Sequence, residues 1–264
     1  NLDPEEILQG LNEQQAAAVK AKNGPVLIVA GAGSGKTKVL THRIAYLVAS
    51  GVSPRNILAL TFTNKAANEM KQRIASLVGS RDAALIRAGT FHSIFARLLR
   101  QSADFINYTS DFTIYDSEDS LSAIKKIFKE KSLPEKPLSP QQVASIISKA
   151  KNRLQTWQSI YDNARNPQEK MFAEIYKLYE ERLRDSNAMD FDDLLWNFIR
   201  LLEEHSDVLE FYQDTFRYIM VDEYQDTNHA QYVAIRLLSK KYQNICVVGD
   251  DAQSIYGWRG ADIQ

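Results

Sequence analysis

Three short stretches of this 264-residue chain hold residue types whose spacing suits phosphate chemistry. Ala30–Thr37 reads A-G-A-G-S-G-K-T, Asp222–Thr227 reads D-E-Y-Q-D-T, and Gly249–Gly260 reads G-D-D-A-Q-S-I-Y-G-W-R-G. In the first, Gly31, Gly33 and Gly35 permit a tight turn that aims backbone N–H groups at phosphate oxygens. Lys36 then reaches the β- and γ-phosphates, and Thr37 offers its hydroxyl to Mg²⁺. The usual first Gly of G-x-x-x-x-G-K-T is Ala30 here, which fits wherever that residue has negative φ. In the second stretch Asp222 suits a metal, through water, and Glu223 suits the base that orients and deprotonates an attacking water. In the third, Tyr256 and Trp258 are two apart, so on an extended segment they share one face and suit base stacking. In this order the three stretches imply a nucleotide-driven device that holds a nucleic-acid strand.

Each stretch needs a strand to place it. Val26–Val29, Tyr218–Val221 and Ile245–Val248 are short apolar runs suited to buried parallel strands, and each precedes one of the three stretches. Ile57–Phe62 reads as a further strand. Helical stripes follow at Leu40, Ile44, Leu47 and Val48, at Ala67, Met70, Ile74 and Leu77, and at Phe91, Ile94, Phe95 and Leu98. The class expected is α/β, a P-loop parallel sheet flanked by helices, with ligands at the strand ends. From about 105 to 186 the strand signals vanish. Ser139-Pro140-Gln141-Gln142 and Asn166-Pro167-Gln168-Glu169 are N-terminal helix signatures ahead of apolar stripes. The expected organisation is a discontinuous domain, 1–104 with 187–264, divided by an all-helical insertion at 105–186. Within the insertion Lys149, Lys151 and Arg153 crowd together, a solvated face or a contact to a nucleic-acid backbone. Asp190 reads as the N-cap of the helix after it, and Asp226 and Asn228 as caps of the next.

Composition bounds the rest. The chain is 44% hydrophobic and 25% charged, enough for a sizeable core, and its net charge of −1 says nothing for or against nucleic acid. Cys246, the single cysteine, sits inside an apolar run and reads as a buried strand residue. The four histidines show no metal-ligand spacing. No apolar run approaches membrane-spanning length and no signal peptide is apparent, so no membrane partner and a cytoplasmic location are expected.

With these motifs in this order, the sequence resembles superfamily 1 DNA helicases of the UvrD, Rep and PcrA type over essentially its whole length. The resemblance implies a RecA-like motor domain with ATP and Mg²⁺ as cofactors. Leu11–Gln15 is similar to the family's Q motif, which implies that Gln15 reads the adenine edge, as an amide side chain can. Phosphate contacts are implied for Ala32, Gly33, Ser34, Gly35, Lys36, Thr37 and Lys38, metal contacts for Thr37 and Asp222, and γ-phosphate sensing for Gln253. Lys36, Glu223 and Gln253 form the implied catalytic set. Strand contacts are implied for Phe62, which pockets a base, for Thr63, Asn64, Thr90 and His92 on phosphates or sugars, and for Tyr256, Trp258 and Arg259. Phe91 reads as core.

The resemblance further implies 3′-to-5′ movement on single-stranded DNA, single/double-strand junctions as substrates, and a role in DNA repair or replication. It also implies a second motor domain whose arginines complete the ATP site, so the chain reads as the N-terminal half of a helicase that does not unwind DNA alone. The alternatives are the motor part of a RecB- or AddA-type helicase–nuclease and a non-motor ATP switch that binds a protein partner.

Overall fold

The structure, a computed structural model, describes residues 2–29, 35–224 and 227–250. It divides into two compact units, the first from Asn1–Ile94, Ser206–Thr227 and Ile235–Gln264, the second from Phe95–His205 and Asn228–Ala234.

The first unit is built on five parallel strands: β1 (Val26–Val29), β2 (Ile57–Thr61), β3 (Arg87–Thr90), β6 (Tyr218–Val221) and β7 (Ile245–Gly249). Their order is β1-β7-β6-β2-β3. β2 and β7 are buried at every position, as expected of continuous apolar runs covered on both faces. Register places Val29 beside Gly249, Val221 beside Val247, Leu60 beside Val221 and Thr61 beside Thr90. The five C-terminal ends therefore fall within two residues of one another along the sheet. The α/β class with a parallel central sheet is the one expected from the sequence. Helices α2 (Glu13–Lys20), α3 (Lys36–Ala49) and α4 (Asn64–Val78) belong to this unit. Leu40, Ile44 and Leu47 of α3 and Met70 and Ile74 of α4 join Ile28, Ala59, Met220 and Cys246 in one core.

The second unit packs α7 (Ser117–Glu130), α8 (Pro140–Asn152), α9 (Trp157–Asp162), α10 (Pro167–Asp185) and α11 (Phe191–Glu204). Ser139 caps α8 in a reciprocal box with Gln142, whose N–H donates to the Ser139 hydroxyl at 3.2 Å while its Oε1 accepts from Ser139 N at 2.9 Å. Asn166 caps α10, but the Glu169 side chain reaches back to Arg165 N instead of the cap residue. The unit is not wholly helical, against expectation. β4 (Thr113–Tyr115) and β5 (Ala188–Asp190) pair in parallel. Three-residue strands carry too little alternation to be read from sequence. The unit is also wider than the stretch lacking strand signals, because its core takes side chains from beyond both ends of it. Phe95 and Phe198, for example, stack at 4.6 Å.

The basic cluster at 149–153 divides on folding. Lys149 and Arg153 are exposed, whereas Lys151 is 1% exposed. Its Nζ stands 2.7 Å from Glu180 Oε1, 2.7 Å from Asp190 Oδ2 and 2.8 Å from Asp193 Oδ1. The solvated-face expectation therefore fails for Lys151, since helical periodicity turns it inward with Val143 and Ile147. Asp190 does cap α11, accepting from Asp193 N at 2.8 Å, and also accepts from the Tyr179 hydroxyl. Burial opposes the Lys151 charge, but Asp190, Asp193 and Glu180 outweigh it and hold the pKa well above the ordinary lysine value. Burial and the neighbouring Asp190 also raise the Asp193 pKa, well above the carboxylate range, which favours its neutral form. Burial also raises Asp190, yet Lys151 more than offsets it and lowers that pKa.

Removing the one cation would strand three carboxylates in the core. Lys151→Met is expected to destabilise the second unit by about 3–5 kcal/mol near neutral pH. Carboxylates buried without a cation bind protons more tightly folded than unfolded. The variant should therefore regain stability relative to the parent as pH falls towards the carboxylate range. Urea unfolding at pH 7.5 and pH 5 checks both statements.

Candidate functional site

The C-terminal strand ends bring the chemically useful residues of the first unit together. Gly35, with φ +45°, stands directly before α3, in a left-handed conformation that a side chain rarely adopts. Lys36 is the first residue of that helix and pairs with Asp250, the residue after β7. The Asp250 hydrogen bond is the main reason the Lys36 pKa lies above its ordinary value, and the charges of Asp222 and Glu223 add to it. Asp222 follows β6, and its N–H donates to Leu60 O at 3.0 Å, extending the ladder by one bond. It is 7% exposed, and burial raises its pKa.

Glu223 has φ +51°, unusual for a residue with a side chain. Its N–H donates to Asp222 Oδ1 at 2.8 Å, which helps to hold that conformation. Non-glycine residues in the left-handed region cost about 1–3 kcal/mol and cluster at functional sites.

Thr37 lies in the first turn of α3, half-buried, with its carbonyl accepting from the Thr41 hydroxyl at 2.8 Å. Lys38 Nζ donates to Gly10 O at 3.1 Å, so its amine is engaged in bracing the N-terminal segment. Gln15 is the third residue of α2 and closes a capping box with Asn12. A Cβ built on Gly35 would lie 3.4 Å from Gln15 Nε2, so the amide stands against the start of α3.

On the β2 and β3 side of the sheet, Phe62 is half-buried and packs on Phe91 with ring centroids 5.2 Å apart. Phe91, 1% exposed, is core as expected. Thr63 caps α4, accepting from Ala66 N at 3.1 Å, and Asn64 beside it is exposed. Thr90 accepts from Ser93 N at 3.2 Å. Both hydroxyls thus have structural work and keep a proton to donate. Burial holds the His92 pKa below the ordinary value, so the ring is neutral at pH 7. Ala32, Gly33, Ser34, Gln253, Tyr256, Trp258 and Arg259 lie outside the described residues.

Two residues here were not singled out from the sequence. Asp250 holds after β7 the place that Asp222 holds after β6, a parallel that the pattern of apolar run then acid does carry. Thr61, at the end of β2, is buried, and its Oγ1 has no hydrogen-bond partner among the described residues. The strand reading of Ile57–Phe62 includes it but assigns it no role.

Residues 11–264 match the family model described as the UvrD/REP helicase N-terminal domain. The chain belongs to that family. It is similar to the ATP-dependent DNA helicase PcrA of Staphylococcus aureus (strain Mu50), at 51% identity over 259 residues, which is 98% of this chain and 35% of that protein. The PcrA of Staphylococcus epidermidis (strain ATCC 12228) is 50% identical over the same extent. The chain therefore spans about a third of the length of the curated relatives it matches. Membership in the UvrD/REP family agrees with the RecA-like α/β fold that the motifs imply. No described helix is long and apolar enough to cross a membrane.

The orphan hydroxyl gives a test specific to this UvrD/REP domain. Replacing an unpaired buried hydroxyl by a methyl of the same shape removes a desolvation cost, so Thr61→Val should leave stability unchanged or raise it by about 1–2 kcal/mol. Urea unfolding checks this. A loss of more than about 1 kcal/mol would mean that the hydroxyl has a partner in the folded chain.

Proposed function

We propose that this chain carries the ATP-binding and single-strand-binding part of an ATP-dependent DNA helicase that moves 3′ to 5′. The observation that carries the reading is the convergence of Lys36, Asp222, Glu223 and Asp250 at the ends of parallel strands, beside a left-handed Gly35. Phosphate would be cradled by the turn before α3, with Lys36 exchanging Asp250 for the β- and γ-phosphates. The exchange keeps a cation opposite an anion throughout, so Asp250 serves as a placeholder for the ligand.

The donor set fits Mg²⁺. Thr37 and Asp222 offer hard oxygen atoms, and Mg²⁺ is usually held by one or two carboxylates together with phosphate and water. The buried Asp222 carboxylate, raised in pKa, also gains most from a nearby positive charge. When bound, the ion would neutralise charge on the transferring phosphoryl group. Glu223 then orients the water and accepts its proton, its backbone already fixed by Asp222. Gln15 would read the adenine edge, its NH₂ and a second lone pair on its oxygen remaining available beside the capping bond. Phe62, Thr63, Asn64, Thr90 and His92 would hold the DNA strand along the β2 and β3 ends, with Tyr256, Trp258 and Arg259 continuing the track. The first unit is the motor domain in this reading, and the second an insertion within it. A DNA substrate, whether in repair or replication, would place the protein in the cytoplasm of bacteria such as those named above.

Lys36→Ala is expected to weaken ATP binding by about 10- to 150-fold, the worth of a charge-assisted hydrogen bond, with the melting temperature little changed. Titration with a fluorescent ATP analogue measures it, and equal affinity in variant and parent would remove the cradle assignment. Glu223→Gln in a full-length relative of this family should keep ATP bound while turnover falls by a factor on the order of 10²–10⁴.

Single-stranded oligonucleotide should bind this chain, with Trp258→Ala and Tyr256→Ala weakening it with little dependence on base sequence. Parent-like binding by both variants would favour a nucleotide switch over a motor. The 264-residue chain by itself should bind nucleotide without unwinding DNA, because the family's transition-state arginines come from the second motor domain. Phosphate release that rises strongly with added single strand would contradict this.

A further inference from the structure

Arg43 lies two turns into α3 and is 1% exposed, among the largest fully buried side chains of the chain. Its Nη1 donates to Ala18 O at 3.1 Å and to Ala21 O, and its Nη2 to Lys22 O at 3.4 Å. These carbonyls lie in and just beyond the last turn of α2, whose C-cap is Ala21. They are groups that a helix end leaves without internal partners, and they form the negative end of its dipole. No partner of Arg43 among the described residues is a carboxylate. Burial accordingly depresses the guanidinium pKa. A buried cation without a counter-ion is a costly way to fill volume that a methionine would fill. Its return is directional, because a planar fork meeting several carbonyls fixes both the position and the rotation of the helix that carries them.

The helix α2 needs such a constraint. It has eight residues, and Val19 is the one whose side chain is buried. A helix this short is marginal by itself, and the small apolar face of Val19 and Ala18 leaves its rotation to be set by further contacts. Towards its other end, about 9 Å along the axis from Ala21, stands Gln15, whose amide meets Gly35 where α3 begins. One helix is thus tied to the other at both ends, by Arg43 at the C-terminus of α2 and by the Gln15 contact near its N-terminus.

We infer that Arg43 is a positioning residue for base recognition, setting α2 so that the Gln15 amide stands at a fixed place beside the start of α3. This rests on the reading of Gln15 as the adenine reader. Arg43 touches neither base nor phosphate. Its loss should blur selectivity between purines without weakening the hold on the phosphates.

The test is competition against a bound fluorescent ATP analogue by ATP, GTP and tripolyphosphate, which has phosphates and no base. The parent should prefer ATP to GTP. Arg43→Met keeps the volume and removes the grip, so the ATP-to-GTP preference should shrink by about two- to tenfold, the worth of one hydrogen bond. Tripolyphosphate should compete as it does in the parent. An unchanged preference overturns the inference, as does an equal loss for all three competitors, which would indicate general damage. Gln15→Ala separates the inference from the reading beneath it. If Gln15→Ala abolishes the preference and Arg43→Met does not, only the role of Arg43 fails. If Gln15→Ala leaves the preference intact, the adenine assignment itself fails. Should Arg43→Met not fold, Arg43→Gln, which keeps an amide donor but cannot span three carbonyls, is judged by the same criteria. Failure of both to fold would make Arg43 a purely structural residue and overturn the inference.

Discussion

Val29 lies beside Gly249, Val221 beside both Val247 and Leu60, and Thr61 beside Thr90, and the chemistry of the first unit follows from that register. Parallel strands end at the same level only when their pairing is in step, and a slip of one residue would turn every side chain to the opposite face. β2, β6 and β7 are buried apolar runs flanked by polar residues, so a slip would draw a flanking group such as Asn244 or Asp222 into the core. The cost of misregister is therefore borne by hydrophobic burial far from the ends. The ends inherit the precision. Asp222, Glu223 and Asp250 are placed by the strands that precede them, and Lys36 joins them through its pair with Asp250.

The two buried cations show two ways of solving one problem. Lys151 sits among three carboxylates, more negative charge than one lysine neutralises, and the excess is absorbed by holding Asp193 towards its protonated form. Arg43 has only carbonyl dipoles around it and keeps a depressed pKa as the residual cost. The first arrangement ties α8, α10 and α11 into one charged core. The second joins two helices and leaves the surrounding core apolar.

Much of this was legible from residue order. Val26–Val29 and Tyr218–Val221 are strands with the bounds their apolar runs suggest, and the Ser139 box begins α8 where expected. Lys36 and the two acids could be singled out because each follows a short apolar run, although β1, ahead of Lys36, buries only Ile28 and leaves Val29 exposed. What could not be read depends on burial set from outside the local sequence. Lys151 is one of three basic residues within five positions, and only the packing of α8 shows which one turns inward. β4 is too short to show a period. Arg43 looks like any polar residue on a helix until α2 is placed against it. The adenine role proposed for Gln15 comes from family resemblance, and the structure adds the capping box and the nearness to Gly35.

The left-handed backbone at Glu223 bears on how this domain would respond to selection in the laboratory. At φ +51° glycine or asparagine is more comfortable than glutamate, so the residue is held there against the preference of its own main chain. A library sorted only for heat resistance would tend to shed that carboxylate, gaining about 1 kcal/mol or more from relieved strain. Under the proposed assignment of Glu223 as the base, thermostable descendants would then accumulate intact folds that bind and do not turn over. With Glu223 as the base proposed above, durability and turnover draw on the same residue, and a screen that rewards the first must score the second alongside it.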